Sequence, residues 1–208
     1  AVASAQVGGQ RLLTEPTAPT KAGSVFGGWY KDAALTQKWD FTKDRMPASN
    51  LTLYAKWEKD YSGIYNIRSK NSELVMDVYG GGTTEGTNII QWTYHGRSNQ
   101  QWTFASLGNG YYKITSVLNP QYSLDVYGGG TDLGNRVIQW TYHGGTNQQW
   151  KIIENADGTV SLMSRLAEES GTGYLLDVLG GGKDQGVNVI QWTAHFGDNQ
   201  KWYLDAVK

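Results

Sequence analysis

A chain of 208 residues can hold one large domain or two small ones, and its aromatic and branched side chains suffice for a core without staples. The 18 Lys and Arg nearly balance the 19 Asp and Glu, and no segment concentrates positive charge, so neither nucleic acid nor an anionic membrane surface is an expected partner. The absence of Cys excludes disulfides, thiolate metal sites and thiol nucleophiles, and no apolar run approaches the roughly 20 residues of a membrane span, so membrane insertion is not expected. With 27 Gly, 13 Tyr and 9 Trp, the composition favours many short strands joined by tight turns. The chain starts at Ala1 with neither an initiator Met nor a basic-then-apolar signal pattern, and is expected to be a piece of a longer precursor.

Residues 8 to 57 come first and have their own texture. Pro16 to Gly23 is turn-rich, Phe26-Gly27-Gly28-Trp29-Tyr30 and Trp39-Asp40-Phe41 supply aromatics for a small core, and Leu51 to Trp57 alternates as a strand does. The segment resembles the Listeria-Bacteroides repeat, a small β-grasp-like module of bacterial surface and secreted proteins. That resemblance implies a strand upstream of Ala1 that this chain lacks, which would leave a sheet edge unpaired. No chemistry is expected in this module, and its default role is that of a spacer. The expected organisation is a module over 1–57, a linker over 58–60 short enough for the two parts to touch, and a second domain over 61–208.

A repeat governs the remainder. Met76-Asp77-Val78-Tyr79-Gly80-Gly81-Gly82 recurs as Leu124 to Gly130 and as Leu176 to Gly182, each time followed by Ile-Gln-Trp-Thr and a His, and then by Asn-Gln-x-Trp. The spacing is 48 residues from the first copy to the second (Asp77 to Asp125) and 52 to the third (Asp125 to Asp177). From each Asp to the closing Trp the count is 25 in all three, so the additional four residues fall between Trp150 and Asp177, where Ala167 to Gly173 reads as an elongated turn. Strand-like alternation covers Tyr65 to Ser69, Tyr112 to Ser116 and Val160 to Ser164, and continues after each closing Trp, giving about four strands per unit. Units of about 61–108, 109–157 and 158–208, none able to bury its own apolar face, are expected to close around a pseudo-threefold axis.

This ordered motif set, with its three Gln-x-Trp signatures, resembles the ricin B-chain-like lectins and family-thirteen carbohydrate-binding modules. The resemblance implies an all-β chain with a β-trefoil over residues 61–208, behind the small N-terminal β module. It also implies that Trp102, Trp150 and Trp202 pack in the core, with Gln100, Gln148 and Gln200 as braces, and that the earlier Trp of each unit stacks on sugar.

The recurring residues suit that role on chemical grounds. A sugar ring offers apolar C–H faces and a rim of hydroxyls, so a receptor needs a flat aromatic and fixed hydrogen-bonding groups. Trp92, Trp140 and Trp192 are candidate platforms. Asp77, Asp125 and Asp177 can accept from two vicinal hydroxyls, while Asn99, Asn147 and Asn199 can donate and accept. The only three His of the chain, His95, His143 and His195, share one position of the repeat, although common descent would place them so even in a structural role. Gly80, Gly128 and Gly180 are candidates to offer backbone amides, and a purely conformational role serves them equally. An Asp before a Gly cluster can likewise be a turn former.

Each unit carries one recurring carboxylate, whereas glycoside hydrolysis needs two flanking one bond, so catalysis is not expected. Neither a cofactor nor a metal site is expected, since an Asp, His and Asn set falls short of a closed four-ligand site. The expected function is non-catalytic binding of a galactose-, arabinose- or xylan-type glycan at up to three sites. Its partners would be that carbohydrate and a catalytic or surface domain of the same secreted or cell-surface bacterial precursor. An inert trefoil used for protein contacts or cell-wall adhesion is the alternative. In the third unit Leu179, Ala194 and Phe196 replace the Tyr, Tyr and Gly of the other two, so its site is expected to differ.

Overall fold

The computed structural model describes residues 9–108 and 110–208. The chain falls into two compact units, one running to Asp60 and taking in Gly108–Gly110, the other comprising Tyr61–Leu107 and Tyr111–Lys208. The strand expected upstream of Ala1 lies outside the described residues.

In the first unit, β1 (Ser24–Tyr30) pairs antiparallel with β2 (Tyr54–Lys59), with a register shift between Phe26 and Gly28. Gly28 adopts φ 110° there, a left-handed value that a side chain would strain. Trp29 and Trp39 are buried, and Phe26 meets Trp29 and Trp57 edge-on. The strand predicted over Leu51 to Trp57 begins three residues later, at Tyr54, because Leu51 to Leu53 find no ladder partner.

The second unit is a β-trefoil of twelve strands. The first repeat contributes β3 (Gly63–Ser69), β4 (Val75–Val78), β5 (Ile89–Trp92) and β6 (Trp102–Gly108). The second contributes β7 (Tyr111–Ser116), β8 (Tyr122–Val126), β9 (Val137–Thr141) and β10 (Trp150–Glu154). The third contributes β11 (Val160–Ser164), β12 (Leu175–Val178), β13 (Val189–Trp192) and β14 (Trp202–Ala206). Six of them, β3, β6, β7, β10, β11 and β14, pair in that order, and β14 returns to β3, which closes the barrel and removes its edges. The other six form one hairpin per repeat, β4/β5, β8/β9 and β12/β13.

Trp102, Trp150 and Trp202 are at most 1% exposed, and their indole N–H groups donate to Met76, Leu124 and Leu176 carbonyls at 3.3, 2.9 and 3.4 Å. Each closing Trp thus ties a barrel strand to the hairpin of its own repeat. The stretch Ala167 to Gly173, expected as an elongated turn, begins inside a short helix, α1 (Arg165–Glu169), and turns only after it, at Ser170 and Gly171; Ser164 caps the helix by accepting from the Ala167 amide at 3.1 Å.

Candidate carbohydrate site

The hairpin register builds the site. Asp77 faces Ile90, Asp125 faces Ile138 and Asp177 faces Ile190 across each antiparallel pair. Residues opposite one another project to the same side, and so does the residue two further along, which is Trp92, Trp140 or Trp192. Each carboxylate therefore shares a face with its Trp. The two side chains differ in burial: the Asp residues are at most 3% exposed, whereas the Trp rings are 37–38% exposed. The Asp residues are not turn formers, since each lies inside a strand.

A network of amides holds each carboxylate. Asn99 donates to both oxygens of Asp77 at 3.0 and 2.9 Å. Asn147 reaches Asp125 Oδ2 at 3.0 Å and Asn199 reaches Asp177 Oδ2 at 2.9 Å. Gln148 and Gln200 add donors to the same Oδ2 atoms at 2.7 and 2.8 Å. In the second and third repeats both donors thus converge on Oδ2. The same glutamines fix the His loop: Oε1 of Gln100, Gln148 and Gln200 accepts from the amide of His95, His143 and His195 at 2.8 to 2.9 Å.

The imidazole tautomer follows from its neighbours. Nδ1 of His95, His143 and His195 accepts a backbone N–H from two residues on, at 3.3, 3.2 and 3.1 Å. In the neutral ring the proton then sits on Nε2, which faces Asp77 Oδ2 at 3.3 Å and Asp177 Oδ2 at 3.6 Å. His143 makes no such pair with Asp125 among the described residues. Burial raises all three carboxyls above their ordinary range, against the lowering effect of the Gln and Asn donors. Asp125, which lacks the close imidazole, is pushed up to about 6.

Gly80, Gly128 and Gly180 hold φ near 60°, the left-handed region, so the Gly triplet has a conformational reason to exist. A Cβ at any of the three would meet nothing within 4 Å, so these positions face open space. In the second repeat these parts enclose a cleft of about 410 Å³ lined by Asp125, Tyr127, Gly128, Gly129, Ile138, Trp140, His143 and Asn147. All five residues that the sequence nominated for this repeat line it. The rims differ: exposed Tyr79 and Tyr127 stand where the third repeat has exposed Leu179, and Arg136 stacks on Tyr127 at 4.2 Å.

Residues 35–140 and 98–192 match the family described as ricin-type β-trefoil lectin domain-like. The chain belongs to that family. Residues 1–56 also match the Listeria-Bacteroides repeat domain. Among solved structures, the designed threefold-symmetric protein ThreeFoil is 39% identical with a TM-score of 0.66, covering 70% of this chain and 99% of ThreeFoil. The exo-β-1,3-galactanase 1,3Gal43A of Clostridium thermocellum is 34% identical with a TM-score of 0.65, covering 78% of this chain and 34% of the galactanase. Internalin H of Listeria monocytogenes is 34% identical over 110 residues, which are 50% of this chain and 20% of Internalin H. The chain thus spans about a fifth of that curated relative. Family and fold together point to carbohydrate binding.

The sequence did not nominate two further recurring residues per repeat. Gln91, Gln139 and Gln191 and Gly86, Gly134 and Gly186 meet one another across repeats, as described below. Their recurrence at fixed offsets from the Asp was the available signal.

Proposed function

We propose that the trefoil binds carbohydrate without catalysis, at one shallow site per repeat and so at up to three per chain. The observation that carries this reading is the threefold recurrence of a buried, amide-clasped carboxylate on the same hairpin face as a solvent-exposed Trp. The Trp offers the apolar platform, and the carboxylate, the Asn carbonyl and the His Nε2–H offer fixed partners to hydroxyls. Gly80, Gly128 and Gly180 keep the approach to that floor open. The single carboxylate lining the middle cleft supports the non-catalytic reading, because hydrolysis needs two at roughly 5 to 9.5 Å.

Galactose-type sugars are favoured over arabinose- and xylan-type ones by the similarity to the galactanase. The N-terminal match and Internalin H favour a bacterial surface or secreted setting, in which the trefoil holds a larger precursor, carrying a catalytic or surface domain, on a glycan. Single shallow sites bind weakly, and three on one body raise avidity by ~10² to 10⁴ where the polymer spans them.

A glycan array tests the proposal. Binding to galactose-terminated glycans that disappears when Trp92, Trp140 and Trp192 are all changed to Ala is the expected result. Binding to arabinose- or xylan-type glycans instead would move the sugar assignment. No binding to any glycan would favour an inert scaffold for protein contacts.

A further inference from the structure

Each proposed platform is completed by the repeat that precedes it around the threefold axis. Gln139, one residue before Trp140, leaves its own repeat and donates through Nε2 to the Gly82 and Thr84 carbonyls at 2.9 and 2.8 Å. Backbone bonds run both ways at the same point, from Gly86 to the Gln139 carbonyl at 2.9 Å and from Gln139 to the Thr87 carbonyl at 3.0 Å. The arrangement repeats with Gln191 on the carbonyls of Gly130 and Asp132, and with Gln91 on those of Gly182 and Asp184. The turn of repeat one thus serves strand β9 of repeat two, that of repeat two serves β13, and that of repeat three serves β5.

A glycine marks where each turn passes beneath the neighbouring Trp. A Cβ on Gly86 would come within 3.7 Å of the Trp140 ring, one on Gly186 within 3.7 Å of Trp92, and one on Gly134 within 3.2 Å of Trp192. These glycines hold φ of 79 to 84°, so the backbone selects against a side chain at all three, and at Gly134 the close Trp192 ring does so as well. The residue before each of these glycines is exposed, Glu85 ahead of the glycine at Trp140, Leu133 ahead of the one at Trp192 and Gln185 ahead of the one at Trp92. The Glu85 position is fixed directly, because its Oε1 accepts from the Thr141 amide at 3.2 Å.

We infer that Glu85, Leu133 and Gln185 determine specificity at the site of the next repeat rather than their own, by meeting the second sugar of a bound chain. The inference rests on the carbohydrate reading above. Glu85 lies outside the cleft that holds the first sugar, whose lining comes wholly from repeat two. A sugar linked to the one stacked on Trp140 and leaving across the ring edge reaches Glu85, whose Oε2 accepts a hydroxyl. The same sugar meets a neutral amide at Trp92 and an apolar side chain at Trp192. Three sites alike in their first sugar thus differ in the second.

The test follows the indole N–H signals of Trp92, Trp140 and Trp192 by NMR during titration with galactose and with β-1,3-galactobiose. Both changed residues are exposed, so the variants keep the fold. Glu85→Leu is expected to leave galactose affinity at Trp140 within about twofold while weakening galactobiose there by about threefold or more, with Trp92 unaffected. Leu133→Glu is expected to strengthen galactobiose at Trp192 alone. An unchanged galactobiose affinity at Trp140 in Glu85→Leu, or a change at Trp92, overturns the inference while leaving the carbohydrate reading intact. If neither sugar moves any of the three signals in the unaltered chain, the galactose assignment fails and the inference fails with it, whereas the carbohydrate reading as a whole falls only if no glycan binds.

Discussion

The second and third repeats share a scaffold and differ at the rim. Both place a buried Asp in the hairpin, clasp its Oδ2 with one Asn and one Gln, and leave a Trp exposed two positions past the facing Ile. The second surrounds this set with Tyr127 under Arg136 and with Gly144, whereas the third has Leu179, Ala194 and Phe196. The charge balance differs as well, since His195 pairs with Asp177 and, among the described residues, His143 makes no corresponding pair. Floor and rim are thus separable: in both repeats buried Asn and Gln donors hold the Asp Oδ2, while exposed rim positions vary.

The largest expected effect breaks the floor of one repeat only. Asp125→Asn removes a charged acceptor for two hydroxyls and should weaken galactose at Trp140 by ~100-fold in a site-resolved titration, with Trp192 unchanged. Equal losses at both sites would mean that the repeats do not act as separate receptors.

Next is the brace. Gln148→Ala strips partners from the His143 amide, the Thr141 carbonyl and Asp125 at once, and should cost ~3 kcal/mol in urea unfolding. Gln200→Ala should cost at least as much, because it makes the corresponding contacts and accepts in addition from the Phe196 amide at 3.0 Å.

Proton linkage sharpens the comparison. The Asp125 carboxyl is raised by burial from 3.8 to about 6, so the ionised form costs stability. The penalty is absent below the unfolded value, grows as pH rises from about 4 to about 6, and is complete above that at ~3 kcal/mol. Unfolding followed against pH should therefore show Asp125→Asn gaining stability relative to the parent above pH ~6 and losing that gain toward pH ~4. Asp177→Asn should gain less, with His195 beside its carboxylate. Sugar binding needs the ionised form, so affinity at Trp140 should fall as pH drops through about 6.

The smallest effect belongs to the third rim. Phe196 holds φ 53°, a left-handed value that the equivalent Gly96 and Gly144 adopt without strain. Phe196→Gly should raise stability by ~1 kcal/mol in the same unfolding assay.

Much of this was legible in the sequence because three copies of one pattern fix the number of repeats and the order of their strands. The separation of buried Trp102, Trp150 and Trp202 from exposed Trp92, Trp140 and Trp192 follows from their place in that pattern. The clasp of Gln148 and Gln200 on the Asp carboxylates was visible only as a general bracing role. Recurrence shows that Gln139 and Gly86 matter but not that they meet, because periodicity does not say which repeat's turn lies against which strand. Helix α1 escaped notice because Ala167 to Gly173 is polar and short, and its cap, Ser164, was read as the end of a strand.

The most direct test of the central claim is a crystal structure of the chain soaked with galactose. The account predicts one sugar stacked on each of Trp92, Trp140 and Trp192, with hydroxyls on Asp77, Asp125 and Asp177. Galactose bound away from these three tryptophans, or absent from all of them at saturating concentration, would contradict it.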